Sequence, residues 1–478
     1  MNIKIIEVLN EKELKKIHTG IVEVLEKTGV KVVNEKALRI LYEGHCNVNF
    51  HNKTAVIPEH VLQDALSYVP DSVTLYGQKP EHDIKLERGK KTSIMGSSAA
   101  QFILDTNNTR RLATLQDLSD LTRFYDYLDN CHIMQQAVIP SDIAESKHDR
   151  ITFATLMANS PKHNWTWPED SKSILDHVKM ASIALGNNKI SEKPIFSEGL
   201  CLMCPLLIPD NVAEMLMTAA RHGIPLFIEV DPMIGATAPV TVAGTLIMQT
   251  ATILGGVVLA QLVNRGAPCV YVLASGLMDM RNGSFAGAAP EVTLSYIGAT
   301  QLAHHYGLPI VVGSSIDSNT SDVQSGYEKA LQFLPLLQAG PDIIHLGIGM
   351  LEQMMLVSYA QAIIDNEIIN ASLRLMKGIE VSEKTMAVGT ICEIGHGGNY
   401  LTHSHTLDLF KNELWIPEIS IRERKDAWDE RGCKTIQHIA NAKAKKILEN
   451  HHPEPLSNSA EKELHALAEE LQEKADIE

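Results

Sequence analysis

The feature that most constrains this chain is an alternation that begins near residue 131. Short apolar runs are followed, again and again, by longer stretches with helical spacing. The strand candidates are 132–139, 162–167, 195–203, 225–230, 269–274, 309–314, 342–347 and 386–393. Between them lie helix candidates at 145–158, 169–184, 210–222, 239–264, 289–306, 321–338 and 352–376, with a last one near 402–411. Alternating β and α units dictate a parallel sheet, because each crossover helix must return the chain to the same edge. Eight such units point to a closed α/β barrel of the (β/α)8 TIM type rather than a doubly wound open sheet. The open sheet is the competing architecture, and no glycine fingerprint opens a first βα unit to favour it.

The flanks read differently. Residues 11–69 carry helical periodicity: Leu14, Ile17, Ile21, Val24 and Leu25 fall on one face, and Gly29 ends the run. Extended pieces follow, with turns at Arg88-Gly89 and Asn107-Asn108, and then a helix over 114–128 opened by Thr114 with Asp117 three positions on. The expected division is an extension of helices and β-hairpins over 1–130, the barrel over 131–419 and a charged helical tail over 420–478. The tail's Leu464, Leu467 and Leu471 form a narrow apolar seam suited to packing on the barrel or on another subunit.

Composition then excludes some partners. The formal net charge of the 478-residue chain is −16, which makes nucleic acid and anionic membrane poor targets and favours cationic ligands. The longest apolar run, 245–263, carries Gln249 and Gln261 and reads as a buried barrel helix rather than a bilayer span. The start shows no signal-peptide layout, and seven scattered cysteines suit reduced thiols in a cytosol.

In a barrel of this type the chemistry sits just past the C-terminal ends of the strands. Those ends bring forward Gln136, Pro140, Trp165, Trp167, Glu198, Cys201, Glu229, Asp231, Ser275, Ser314, Asp317, His345, Glu393 and His396. The set holds two of the four tryptophans in the chain and several carboxylates, and it holds no Lys or Arg. Aromatic faces attract a quaternary ammonium, and carboxylates add Coulomb attraction. Against this, Trp165 and Trp167 could be packing residues, on the expectation that they do not both face the lumen.

The remaining motifs are weaker. "CLMC" (201–204) has no second cysteine pair, so packing outweighs metal binding. "HSH" (403–405) reads as capping or loop packing before zinc. His345 closes an apolar strand and is either a satisfied core histidine or a donor to a substrate carboxylate. "HLGIGMLE" and "EIGHGGNYLTH" supply glycines after the seventh and eighth predicted strands, where barrels often bind phosphate or admit the close approach of a ligand.

Four ordered stretches carry a resemblance: "GATAPVTVAGTLIMQTA" (235–251), "GSSIDSNTSDVQSGYEKA" (313–330), "LGIGMLE" (346–352) and "GHGGNYLTHSHTL" (396–408). With "TRRLATLQDL" and the N-terminal helices, the chain resembles the trimethylamine methyltransferase family over nearly its whole length. The resemblance implies a TIM barrel whose mouth docks a separate corrinoid protein and passes a methyl group from a methylated amine to Co(I). The archaeal trimethylamine enzymes of the family carry pyrrolysine, and no nonstandard letter occurs here. The chain therefore looks like the branch without pyrrolysine, acting on quaternary amines such as glycine betaine, proline betaine, carnitine or γ-butyrobetaine.

On that reading His345 is the expected catalytic contact to the polar end of the substrate. Phe102, Trp165 and Trp167 would face the methylammonium, with Glu198 or Glu229 as charge partners. Asp317, Gly347, Gly349, Gly397 and Gly398 would border the corrinoid (cobalamin), which the cognate corrinoid-binding protein carries. No metal ligand set is expected, and the charged tail makes a homo-oligomer plausible. The rivals are a zinc barrel passing methyl from betaine to a thiol through Cys201, Cys204 or the late histidines, a non-catalytic barrel that only binds quaternary amines, and a phosphate-binding sugar enzyme.

Overall fold

The computed structural model describes residues 6–144, 148–186, 190, 192–454 and 456–475. Eight parallel strands form one ring. They are β1 (Ser93–Ile94), β2 (Ile133–Gln135), β3 (His163–Thr166), β4 (Phe196–Leu202), β5 (Leu226–Val230), β6 (Cys269–Leu273), β7 (Ile310–Gly313) and β8 (Ile343–His345). Hydrogen bonding runs unbroken from β1 through β8, β7, β6, β5, β4 and β3 to β2, and a parallel bridge from Met95 to Ile133 closes the circle. A helix follows each strand: α1 (Leu115–Tyr127), α2 (His148–Asn159), α3 (Ser171–Leu185), α4 (Asp210–Arg221), α5 (Val242–Val263), α6 (Pro290–His305), α7 (Val323–Ala339) and α8 (Tyr359–Met376). The fold is the expected (β/α)8 TIM barrel.

One barrel unit differs from the expectation. The apolar run 386–393 is not a strand. It falls in two short helices, Glu383–Met386 and Val388–Ile394, beyond the end of α8. The missing strand is β1, only two residues long, lying inside the segment first read as a hairpin extension. The sequence pattern and the structure agree on eight strands because the pattern omits β1 and counts 386–393 in its place. Strands therefore run from Ser93 to His345, and the last barrel helix ends at Met376. The first residues of the helix expected over 145–158, 145–147, lie outside the described residues.

Side-chain direction alternates along each strand, and the register shows which residues share the lumen. Trp165 is level with Gln135 and Ser197, Gly199 with Phe227 and Val270, Cys201 with Glu229 and Val272, and Gly313 with His345. The closed end is plugged by a hairpin, Val73–Leu75 with Ile84–Leu86. Its Val73, Leu75 and Leu86 pack with Met95, Ile133, Val270, Val311 and Ile343 in one apolar cluster that also holds Trp165 and Phe227. The floor of the lumen is thus dry, and any ligand must enter from the strands' C-terminal ends.

Helix α5 is apolar on every side because it is covered on every side. The strands lie on one face, and the helices Glu11–Lys27, Glu35–Glu43 and Glu59–Ser67 lie on the other. That burial accounts for a 22-residue helix apolar enough to cross a bilayer. The Thr114–Asp117 capping box forms as expected, and Asp117 is further held by Arg111. At the C-terminus, Ile436–Asn450 packs on α8 and α1, and Asn458–Ala475 packs on α2 and α3, so the tail straps the barrel's own helices.

Candidate functional site: the open end of the barrel

Trp165 and Trp167 both face the lumen. Residues two apart on a strand share a face, so the expectation that they diverge is corrected by the pleat itself. Their rings stand 4.8 Å apart, tilted by 35°. Trp165 is fully buried and also touches Phe227 at 4.9 Å and His345 at 5.3 Å between centroids. Trp167, one step nearer the opening, is half-buried. The pair fits because residue 199 opposite is glycine: a Cβ there would sit 2.5 Å from Nε1 of Trp167 and 2.7 Å from Nε1 of Trp165. The buried indole nitrogen of Trp165 has no hydrogen-bond partner.

Above the indoles stand two acids on one strand face. Glu229 is 5% exposed, and its Oε2 accepts a long hydrogen bond from Nε1 of Trp167 at 3.4 Å. Asp231 follows two residues later at the top of the lumen and accepts from the Cys201 thiol at 3.3 Å. Burial raises the Glu229 carboxyl well above its ordinary range, and the neighbouring Asp231 charge raises it further. Asp231 is exposed at the mouth, and the protein crowded around it lifts its carboxyl to about 6, opposed by the Cys201 thiol and the Ala274 amide. No lumen-facing register position among the described residues holds Lys or Arg. Two acids thus share an aromatic cup with no resident cation to neutralise them.

His345 ends β8 inside the lumen, 2% exposed, and neither ring nitrogen meets a hydrogen-bond partner of ordinary geometry. Burial drives its pKa down to about 4, opposed only by the Leu273 carbonyl, so the ring is neutral at pH 7. It can offer one N–H and one lone pair, but not a charge. Ser275 and Ser314, at the ends of β6 and β7, also carry buried hydroxyls without partners.

Other expected residues occupy different surroundings. Glu198 is level with Thr166 and Leu226 on the outer face of the strands, where its Oε1 meets Nδ1 of His177 at 2.9 Å with both side chains fully buried. It is a partner for α3, not for a ligand in the lumen. Phe102 lies on the hairpin Phe102–Leu104/Arg110–Leu112, and the Arg110 guanidinium stands 3.7 Å over its ring, held there by Glu352. One of its faces therefore already carries a cation.

Asp317 accepts from the amides of Gly287 and Ala288 and pins the loop after β6 against the one after β7. It shapes the rim without pointing free. Gly347 and Gly349 are buried packing positions: a Cβ at 347 would press on Ile94 at 3.0 Å, and at 349 on the Tyr125 hydroxyl at 2.7 Å, where φ is +91°. Gly397 and Gly398 follow α8 in the chain, between the short helix Val388–Ile394 and the helix Ser404–Glu413, and are exposed.

Asp231 is a contributor that strand-end reasoning brought forward without giving a role, and Cys201 is one it weighed only for packing or for the zinc rival. Gly199 and Phe227 had no signal other than their register. Among the described residues no group of three or more His, Cys, Asp or Glu side chains is placed to hold a metal ion.

The geometry can be set beside known proteins. The family model for trimethylamine methyltransferase (MTTB) matches residues 1–475. A trimethylamine methyltransferase MttB from Desulfitobacterium hafniense is 33% identical over 467 residues, 97% of this chain and 94% of that protein. A glycine betaine methyltransferase from the same species is 31% identical, covering 96% of each chain. The MttB of Methanosarcina thermophila is likewise 31% identical over 96% of each. The solved monomethylamine methyltransferase MtmB of Methanosarcina barkeri shares the fold at a TM-score of 0.52 and 13% identity, covering 91% of this chain and 93% of that one. With a match that leaves only the last three residues outside it, this chain belongs to the trimethylamine methyltransferase family.

Proposed function

We propose that this protein moves a methyl group from a quaternary, betaine-type methylammonium compound to the corrinoid of a partner protein. The observation that carries the reading is the cup itself: the tilted pair Trp165 and Trp167 beneath the Glu229–Asp231 pair, open above and sealed below. Cation–π contact with two indoles and the field of a buried carboxylate both select a fixed positive charge. The 31% identity to a glycine betaine methyltransferase supports a betaine as the compound.

A corrinoid brought to the mouth would supply a Co(I) nucleophile to take the methyl group. The chain's residues would hold the methylammonium carbon at the opening and exclude water below it. A quaternary nitrogen leaves as a neutral amine, so no acid is needed at the leaving group. This agrees with a neutral His345 and with acids whose placement suits charge attraction. His345 would orient the polar end of the compound through its free N–H. The lumen fits such an acceptor, because Asp231, Cys201 and Trp167 are reached from outside while Trp165 and His345 are not.

The zinc–thiol alternative fits less well. Among the described residues no group of three or more His, Cys, Asp or Glu side chains stands close enough to form a zinc ligand set around Cys201. Purified protein with Co(I) cobalamin and a panel of glycine betaine, carnitine, choline and tetramethylammonium tests the reading by the absorbance of methylcobalt. Methyl transfer from a quaternary amine supports it. Transfer to a thiol without corrinoid, lost with stoichiometric zinc on chelation, favours the rival.

A further inference from the structure

A betaine carries a carboxylate as well as a methylammonium, yet the lumen holds acids and no cation. The charge that can answer that carboxylate stands one layer behind the wall. Of the Lys and Arg side chains among the described residues, Arg150 and Lys329 are buried. Arg150 is paired with Asp149 and Asp176, between α2 and α3. Lys329, on α7, is 0% exposed, and the hydrogen bonds of its ammonium go to two neutral carbonyls, Ser314 at 2.5 Å and Leu346 at 3.0 Å.

Those carbonyls belong to the ends of two lumen strands. Ser314 follows β7, Leu346 follows β8, and the Ser314 amide donates to the His345 carbonyl at 2.9 Å. The His345 ring lies against the same backbone from the lumen side, since a Cβ at Gly313 would stand 3.5 Å from its Nε2. Ring and ammonium therefore flank the end of β7 from opposite sides. Leu346 holds a φ of +56°, a left-handed conformation disfavoured for leucine. Backbone strain of this kind gathers at functional sites.

An ammonium is a costly way to hold two carbonyls, because burial opposes its charge and brings its pKa down to about 8. A buried amide donor would satisfy the same carbonyls without a charge to desolvate. Asp365 on α8 and Glu328 on α7 act in the opposite sense to burial. Each has donors of its own: the Gly349 amide bonds Asp365, and the Asp317 and Ser318 amides bond Glu328. What the ammonium adds is a field, little screened because Lys329 and His345 are both shut from solvent.

We infer that Lys329 is a positioning residue that selects quaternary amines bearing a carboxylate. It fixes the backbone around Ser314 and His345 and forms the positive pole of a lumen whose negative pole is Glu229 and Asp231. A betaine then lies with its methylammonium at the acids and indoles and its carboxylate at the N–H of His345. Choline, with a neutral hydroxyl in place of the carboxylate, gains nothing from that pole. This inference rests on the quaternary-amine reading of the cup.

The test compares glycine betaine with choline by calorimetry on the full chain. At pH 7 the unaltered protein should bind glycine betaine about fivefold more tightly. Lys329→Met should weaken glycine betaine by about fivefold and leave choline within about twofold, whereas a purely structural role would weaken both alike. A second measurement needs no variant: the preference should fade in the unaltered protein as pH rises from 7 to 9.5, through the Lys329 pKa of about 8. Over that range Asp365, at about 6, stays ionised, and His345, at about 4, stays neutral. Glu229 and Asp231 act on the methylammonium common to both ligands, so their titration cancels in the ratio. A preference constant over that pH range overturns the proposal, and so does equal weakening of both ligands by Lys329→Met or choline binding as tightly as glycine betaine at pH 7. Those results leave the quaternary-amine reading standing. An unaltered protein that binds neither compound overturns both.

Discussion

Replacing Glu229 with Gln changes charge at nearly constant shape, which makes it the sharpest probe of the cup. The Gln amide oxygen can still accept the 3.4 Å hydrogen bond from Trp167, so the indole pair keeps its support. A methylammonium nitrogen over the indoles would lie about 5 Å from the carboxylate. At an effective dielectric of about 20, that attraction is about 3 kcal/mol. Burial and Asp231 favour the protonated Glu229 carboxyl, and giving up that proton to a cationic ligand offsets part of the gain. A net loss of about 1.5 kcal/mol remains, roughly a tenfold rise in KM or Kd for a quaternary amine. The control is an uncharged carbon isostere such as 3,3-dimethylbutanol, whose inhibition constant should move less than twofold. Calorimetry and steady-state kinetics on both ligands make the comparison. Equal weakening of the charged ligand and its isostere would refute an electrostatic role, and so would an unchanged Kd for the quaternary amine.

Glu198→Ala should destabilise the fold by about 3–5 kcal/mol, because it strands His177 in a fully buried position. Chemical denaturation should show that loss while the folded fraction keeps its Kd for quaternary amines. Gly199→Ala should drive a Cβ into both indole nitrogens, cost about 1–3 kcal/mol and shift tryptophan fluorescence, with affinity falling alongside. Stability should fall with acid through His163 and His345, both buried and both lowered from 6.5 to about 4. Their folded pKa values lie below the unfolded one, so their stabilisation is complete above pH 6.5 and is lost as pH falls through 4. Each shift corresponds to about 3 kcal/mol. A His345→Gln variant should flatten its share of that slope in denaturation measured from pH 7 to pH 4. Asp231, raised to about 6, acts in the same direction on binding: affinity for a quaternary amine should increase as pH rises through 6, read from Kd between pH 5 and pH 8.

The barrel was legible because its helices and most of its strands carry period and length. β1 was not, since two residues have no period, and a Ser-Ile pair becomes a strand only when β8 and Met95's bridge to β2 give it neighbours. The run 386–393 looked like a strand because its residues are apolar, but no sheet edge remained for it. Strand-end logic found Trp165, Trp167, Glu229 and His345, and register alone moved Glu198 outside the lumen, one residue from facing in. Gly347 and Gly349 answer to packing neighbours far away in sequence, which no local pattern reveals. Gly397 and Gly398 follow the last barrel helix in the chain, a fact of topology rather than composition.

The most direct test of the central claim follows cobalt alkylation in a mixture of this protein, Co(I) corrinoid and trideuteromethyl-labelled glycine betaine. The account predicts a methylcobalt absorbance that appears only with the protein, a trideuteromethyl label on cobalt, and an equal yield of dimethylglycine. Unchanged Co(I) spectra with betaine and every other quaternary amine, under conditions where the protein binds them, would contradict it.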